Sequence, residues 1–250
     1  MRVVRAAVVG HVEWIEFLRV EHVPRVGEIV HADETWEQAG GGGGVAAVQL
    51  SLLADGVLFF TALGSDELGR RAKIELEERG VEVCASFVEL PQRRGITYVD
   101  GASERTITTV GPRLEPRGHD DSLPWHELAR CDAVYFCAGD ADALRHARRA
   151  RVLVATARVL GTLRRGAVEL DAVVGSGKDE AERYRAGDLD PEYDVLQHFD
   201  DPGELIDAKH DVLEGQDELV AAIRAVRPPL RTRLHVVARR LRAVPESGDG

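Results

Sequence analysis

Gly40-Gly41-Gly42-Gly43-Gly44 runs directly into Val45-Ala46-Ala47-Val48-Gln49-Leu50-Ser51-Leu52-Leu53. The second part is built of small and apolar residues, which predicts a deeply buried helix. Glycine-rich backbone entering a helix N-terminus presents outward amide N–H groups, a cradle for an anion or a hydroxyl. Five glycines alone would also suit a flexible linker, and the buried helix behind them weighs against that. Val174-Gly175-Ser176-Gly177-Lys178-Asp179 has the look of a phosphate loop. A Walker A loop needs a Gly at position 172 and Ser or Thr at 179, where this sequence has Ala and Asp. A strand-to-helix turn is the simpler reading. Two Ala-Gly-Asp triplets end in Asp140 and Asp188. Asp140 precedes a helix and reads as its N-cap, and Asp188 sits in turn composition. The nine His are scattered with no H-E-x-x-H pair, and no G-x-S-x-G elbow exists. The first strand is followed by Gly10-His11-Val12-Glu13, which is not a dinucleotide fingerprint.

The elements that would position these residues alternate. Val3–Val9 is a nearly continuous apolar run, as in a strand buried on both faces of a parallel sheet. Ile15–Val20 and Glu28–His31 are extended segments, and Pro24-Arg25-Val26-Gly27 between them predicts a hairpin turn. Val57–Leu63 is the next strand, and Glu67–Arg79 a helix closed by Gly80. Val81–Val88, Ile96–Val99 and Thr106–Val110 follow as short strands. Ala133–Phe136, Val152–Ala155 and Leu170–Val174 are strands separated by helices at Ala141–Arg149 and Thr156–Arg165, with another helix beginning at Glu180–Arg185. This order predicts an α/β domain with a parallel sheet.

The 250 residues carry a net charge of -11, which argues against nucleic acid as the main partner. No run approaches the length of a membrane-spanning helix, and the N-terminus lacks the apolar core of a signal peptide. Cys84, Cys131 and Cys137 form no C-x-x-C pair, so buried thiols in a cytoplasmic protein are expected.

Val8-Val9-Gly10, Pro24-Arg25-Val26-Gly27-Glu28 and the glycine run occur in the order found in one kinase family. So do Ala62-Leu63-Gly64-Ser65-Asp66-Glu67-Leu68-Gly69, Leu76-Glu77-Glu78-Arg79-Gly80-Val81 and Gly95-Ile96-Thr97-Tyr98-Val99-Asp100 before Glu104-Arg105-Thr106. Together residues 1–192 resemble the phosphofructokinase-B/ribokinase family of carbohydrate and nucleoside kinases. The resemblance implies an α/β ribokinase-like sandwich with a central, mainly parallel sheet. It implies a small β-lid from about residues 12–35 and 95–110. It further implies Mg·ATP-dependent phosphorylation of a hydroxyl on a sugar, sugar-like or nucleoside substrate, and a homodimer formed through the lid. On that footing Glu13, Glu16 and the amides of Gly41, Gly42, Gly43 and Gly44 are the expected substrate contacts. For the two glutamates, an exposed strand face is the competing reading.

The sequence also departs from the family. Glu13 stands where an Asn is common, and Ile15 where an acid is usual. The Gly-Ala-Asn piece of the glycine motif reads Gly44-Val45-Ala46, and the Asn-x-x-Glu position near Ser176–Asp179 lacks that pattern. The second signature, Asp-Thr-x-Gly-Ala-Gly-Asp, whose last Asp is the family's base, does not occur. Residues 193–250 instead carry eight acids over 200–218 and seven Arg without an acid over 219–245. A shifted reading frame, a divergent end in a non-catalytic descendant and an unrecognised base all account for this segment. The alternative function is therefore a catalytically inactive sugar- or nucleoside-binding, or protein-interaction, module.

Overall fold

The computed structural model describes residues 4–175, 179–185, 187–189 and 195–197. β1 (Arg5–Val9) lies near the middle of a seven-stranded, all-parallel sheet. Its partners are β4 (Gly56–Gly64) on one side and β8 (Ala133–Phe136) on the other. β5 (Glu82–Val88) closes the β4 edge. β9 (Val152–Thr156), β10 (Ala172–Gly175) and β11 (Val195–Gln197) extend the β8 side. β11 falls within the segment of altered composition. The predicted helix at Leu219–Val226 lies outside the described residues.

Both faces of this sheet are covered, which explains its unbroken apolar runs. Ala6, Val8, Val57 and Phe59 face α1 (Gly41–Ser51) and α2 (Glu67–Glu78), meeting Ala47, Leu50, Ala72 and Leu76. Ala7, Val9, Leu58 and Phe60 face the other way, into a layer that includes Leu144 of α3 (Ala141–Ala147) and Leu163 of α4 (Leu160–Gly166). Fully burying a side chain such as Phe59 or Phe60 contributes about 1.5–3 kcal/mol. α2 is capped by Asp66, whose carboxylate accepts from the Gly69 amide at 3.0 Å, and α3 by Asp140 in the same way from Ala143.

The lid is a second, four-stranded mixed sheet, ordered β3 (Glu34–Gly40), β2 (Glu13–Arg19), β6 (Arg94–Val99), β7 (Arg105–Val110). β2 does not form the expected hairpin with Glu28–His31. Its antiparallel partner is β3, with Glu13 opposite Gly40 and Arg19 opposite Glu34. Residues 20–33 are a loop held by a local turn, in which Glu28 accepts from the Arg25 amide at 3.0 Å. The strand signal of Ile29 and Val30 is overridden because the register set at Gly40 carries the pairing past them. α2 props the root of the lid: Arg71 lies 4.3 Å over the Trp14 ring and Glu75 accepts from the Ala39 amide at 2.9 Å. The expected helix over Glu180–Arg185 is only a 3₁₀ turn, Glu180–Glu182. The one over Thr156–Arg165 is split into a 3₁₀ turn and α4.

Candidate functional site

The chain leaves β1, builds the β4 side of the sheet, then returns to β1's other flank with β8. That reversal is a topological switch point, and the crevice beyond the carboxyl ends of β1 and β8 is where open α/β sheets bind ligands. Gly10 and His11 leave β1 there; Cys137 and Ala138 leave β8, their amides donating to Val9 O at 2.9 and 3.3 Å.

The glycine run enters from β3. The helix begins at Gly41, four residues earlier than its apolar part suggests, so the glycines form its first turn rather than a loop before it. The amides of Gly43 and Gly44 donate to the His11 carbonyl at 3.1 and 3.3 Å. They are therefore engaged within the protein, and the amides of Gly41 and Gly42 lie ahead of them at the helix start. A Cβ on Gly43 would lie 2.7 Å from His11 O and 2.8 Å from His11 N, so the two backbones touch only because glycine stands here. Gly41 has φ +77°, a left-handed conformation natural to glycine alone.

Glu13 opens β2 and is buried, 8% exposed, which removes the exposed-face reading for this residue. Its carboxylate accepts from Arg93 Nε at 2.7 Å, and His11 Nε2 lies 3.7 Å away. Arg93 is fixed in turn by donating to Gly111 O at 3.3 Å. Its neighbour Gln92 ties the lid root to the core: Oε1 accepts from the Gly64 amide at 3.0 Å, Nε2 donates to Val12 O at 2.8 Å, and its own amide reaches Asp66 at 2.9 Å. The Gly64-Ser65-Asp66 stretch thus works structurally, holding the strand that presents Arg93. Glu16 is exposed, and strand alternation puts it on the opposite face from Glu13, across from Glu37. The two glutamates do not share a site face.

His11 is the most perturbed group here. Its ring is buried, and its pKa falls from 6.5 to about 3. Desolvation is the main cause; the positive charges of Arg113, Arg93 and Arg158 add to it. The imidazole is therefore neutral, and its Nδ1 has no hydrogen-bond partner. Cys137, against Gly10, is pushed up to about 12 chiefly by burial and is an inert thiol. Asp140 Oδ1 is committed to the amides of Ala143 and Gly118, at 2.8 and 2.9 Å. Asp188 accepts from Arg185 N and pairs with Arg164, as its turn composition suggested. Among the described residues no three His, Cys, Asp or Glu side chains gather to hold a metal ion, and Ser176–Lys178 lie outside those residues.

Sequence reasoning did not find Arg93, Arg113, Arg158 or His11. No motif contains them. The available signal was weak: Arg93 follows a Gln and precedes a strand, and His11 directly follows the strand-ending Gly10.

A parallel sheet covered on both faces, with a second four-stranded mixed sheet beside it, is a ribokinase-like fold. Residues 5–160 match the pfkB family carbohydrate kinase profile, and the chain belongs to that family. It is 28% identical over 106 residues to ribokinase of Dictyostelium discoideum, a stretch covering 42% of this chain and 33% of that protein. The fold is similar to ribokinase of Thermotoga maritima, with a TM-score of 0.55 and 20% identity, covering 71% of this chain and 60% of that one. It is also similar to Arabidopsis thaliana ribokinase complexed with ribose and ATP, with a TM-score of 0.50 and 17% identity, covering 70% of this chain and 61% of that one. The chain thus spans less than two thirds of the length of each of these relatives. Among the described residues no helix is long and apolar enough to cross a membrane.

Proposed function

We propose that this chain transfers a phosphoryl group from Mg·ATP to a hydroxyl of a sugar or sugar-like substrate. One observation carries the reading: a buried carboxylate, Glu13, oriented by Arg93, at the switch-point crevice beside the glycine helix start. A carboxylate so placed accepts hydrogen bonds from substrate hydroxyls and fixes the sugar's orientation. The amides of Gly41 and Gly42 add donors at the positive end of a helix. The lid excludes water, which otherwise competes as acceptor. ATP, bound with magnesium, would supply the phosphoryl group.

The absence of Asp-Thr-x-Gly-Ala-Gly-Asp from the sequence, together with the committed carboxylate of Asp140, favours a second reading. In it the chain binds a sugar or nucleoside, or a protein partner, without catalysis. Three free thiols fit a reducing compartment, and we assign the protein to the cytoplasm. We also assign the lid to a homodimer contact, supported by Ile107 and Val110 exposed on β7, which a monomer in light scattering would refute.

Thermal unfolding with and without saturating Mg·ATP is the first test. Ligand at about 100 times its Kd adds roughly 2.7 kcal/mol, or on the order of 5–10 °C at this size. That rise, followed by ADP release with one member of a sugar panel, supports the kinase. Sugar stabilisation without ADP release supports the inactive binder. No response to nucleotide or sugar removes both small-molecule readings. Glu13→Gln should weaken polyol binding while unfolding stays cooperative; unchanged binding by calorimetry removes Glu13 from the site.

A further inference from the structure

The outer surface of α2 carries an order of charges that helix stability does not explain. Arg70, Arg71 and Lys73 precede Ile74 by four, three and one residues, and Glu78, Glu77 and Glu75 follow it at the same three spacings. The bases therefore lie toward the N-terminus, and the last turn holds acids and no base. The helix dipole favours the opposite order, and intrahelical pairs favour the acid placed before the base. Ala72 and Leu76, two residues to either side of Ile74, are buried against the sheet. Ile74 thus points away from it and is 55% exposed, the one large apolar side chain on the outer side of α2. It lines a shallow groove of about 250 Å³ with Trp14, Arg71, Glu75 and Glu78. Within the chain, Arg71 pairs with Glu37, Lys73 with Glu77 and Arg70 with Glu67; Glu78 has no ion pair among the described residues. Exposed pairs of this kind are worth little and exchange readily.

A row of charges that reverses sign about one residue is complementary to its own copy turned end for end. A two-fold interface requires that property, because each patch must fit itself. We propose that this face binds a second copy of the chain, α2 against α2 and antiparallel, with the two-fold axis at Ile74. Arg70 of each copy then meets Glu78 of the other, and Arg71 meets Glu77. The two Ile74 side chains and the grooves beside them form the apolar centre, inside a charged rim. Both ends of α2 extend the patch. Val88 O accepts from the Ser65 amide at 3.0 Å, which sets the exposed Phe87 and Leu90 beside the N-terminus. The Ser51 hydroxyl donates to Arg79 O at 3.0 Å, which sets the exposed Leu52 beside the C-terminus. In the antiparallel arrangement the N-terminal end of one copy lies against the C-terminal end of the other, so these apolar groups come opposite each other. The surface is separate from the lid contact on β7, because α2 props the β2 and β3 side of the lid and β7 is the opposite edge. It is independent of the kinase reading.

The test is sedimentation velocity of the full chain over a concentration series, with Ile107→Lys present throughout so that any contact through β7 is removed. This chain should still self-associate. Arg70→Glu and Glu78→Arg each set like charges opposite one another twice per dimer, and each should weaken association at least about tenfold. Mixing the two variants should restore it. The Arg70→Glu chain keeps Glu78 and the Glu78→Arg chain keeps Arg70, so both contacts again join opposite charges. The two changes combined in one chain should restore it as well. Both bring α2 into line with its dipole, so neither should lower the melting temperature of the dilute chain, and lost association is then not lost folding. A chain that stays monomeric at every concentration overturns the inference. Association that both single variants leave unchanged overturns it too, and so does a mixture of the two that fails to reassociate.

Discussion

The two sheets of this molecule solve different problems. In the central sheet, β1, β4, β8 and β9 are buried almost throughout, and each is covered by a helical layer or packed neighbours. In the lid, β7 is exposed along its whole length, and burial is confined to Glu13, Trp14 and Phe17 of β2, Ala39 and Gly40 of β3, and Gly95 and Thr97 of β6. The first sheet is stable on its own covering. The second relies on its attachment at Gln92, Trp14 and Ala39, and leaves an edge and a face for something else. The proposed site lies where the two meet, where Glu13 and Arg93 at the root of the second sheet stand beside the glycine helix start.

Core truncation should separate the sheets most sharply. Phe136→Ala, at a fully buried ring, should cost about 3–5 kcal/mol in urea denaturation. At dilutions where the chain is monomeric, Ile107→Ala on β7 should stay within about 0.5 kcal/mol, with a larger cost at concentrations where the proposed homodimer forms. A large cost at Ile107 would mean the lid face is covered in solution, as the proposed homodimer requires.

His11 gives the next effect, at the junction itself. Its imidazole has a pKa of 6.5 when free and about 3 in the fold. Between these values the unfolded chain takes up a proton that the folded one refuses. The stability from this group is complete above pH 6.5 and is lost as pH falls toward 3, by on the order of 5 kcal/mol at most. His11→Asn should flatten that part of the stability–pH curve. An unchanged slope from pH 6.5 to 4 would show that the ring takes up its proton in the fold.

The glycine helix offers the finest comparison. Gly43→Ala drives a Cβ into His11 and Gly10 backbone and should cost about 2–3 kcal/mol. Gly44→Ala meets nothing closer than 3.8 Å and gains helix propensity, so it should be neutral or stabilise by up to about 1 kcal/mol. Equal costs at both positions would return the run to a flexible linker.

Much of the central sheet was legible because its strands are apolar on both faces, and its helices carry local caps at Asp66 and Asp140. The lid was less legible. Alternation located β2, β6 and β7, but the partner of β2 lay beyond a loop that itself carries strand-like residues. Of the candidate site, Glu13 and the glycine helix were visible as residue types, and the structure brings them side by side. Their separation from Glu16 followed only once the start of β2 was fixed.

What the sequence determined by itself is therefore local: which runs are buried strands, where helices begin and are capped, and that a family signature is missing from the last 58 residues. What only the tertiary structure decided is which charges meet. Arg93 reaches Glu13 across 80 positions, and Gln92 spans the same distance to Val12. Such contacts depend on strand order and register, which many sequences satisfy with different partners. The pattern of apolar residues drives collapse and selects the fold; it carries no record of which arginine will stand over a particular carboxylate.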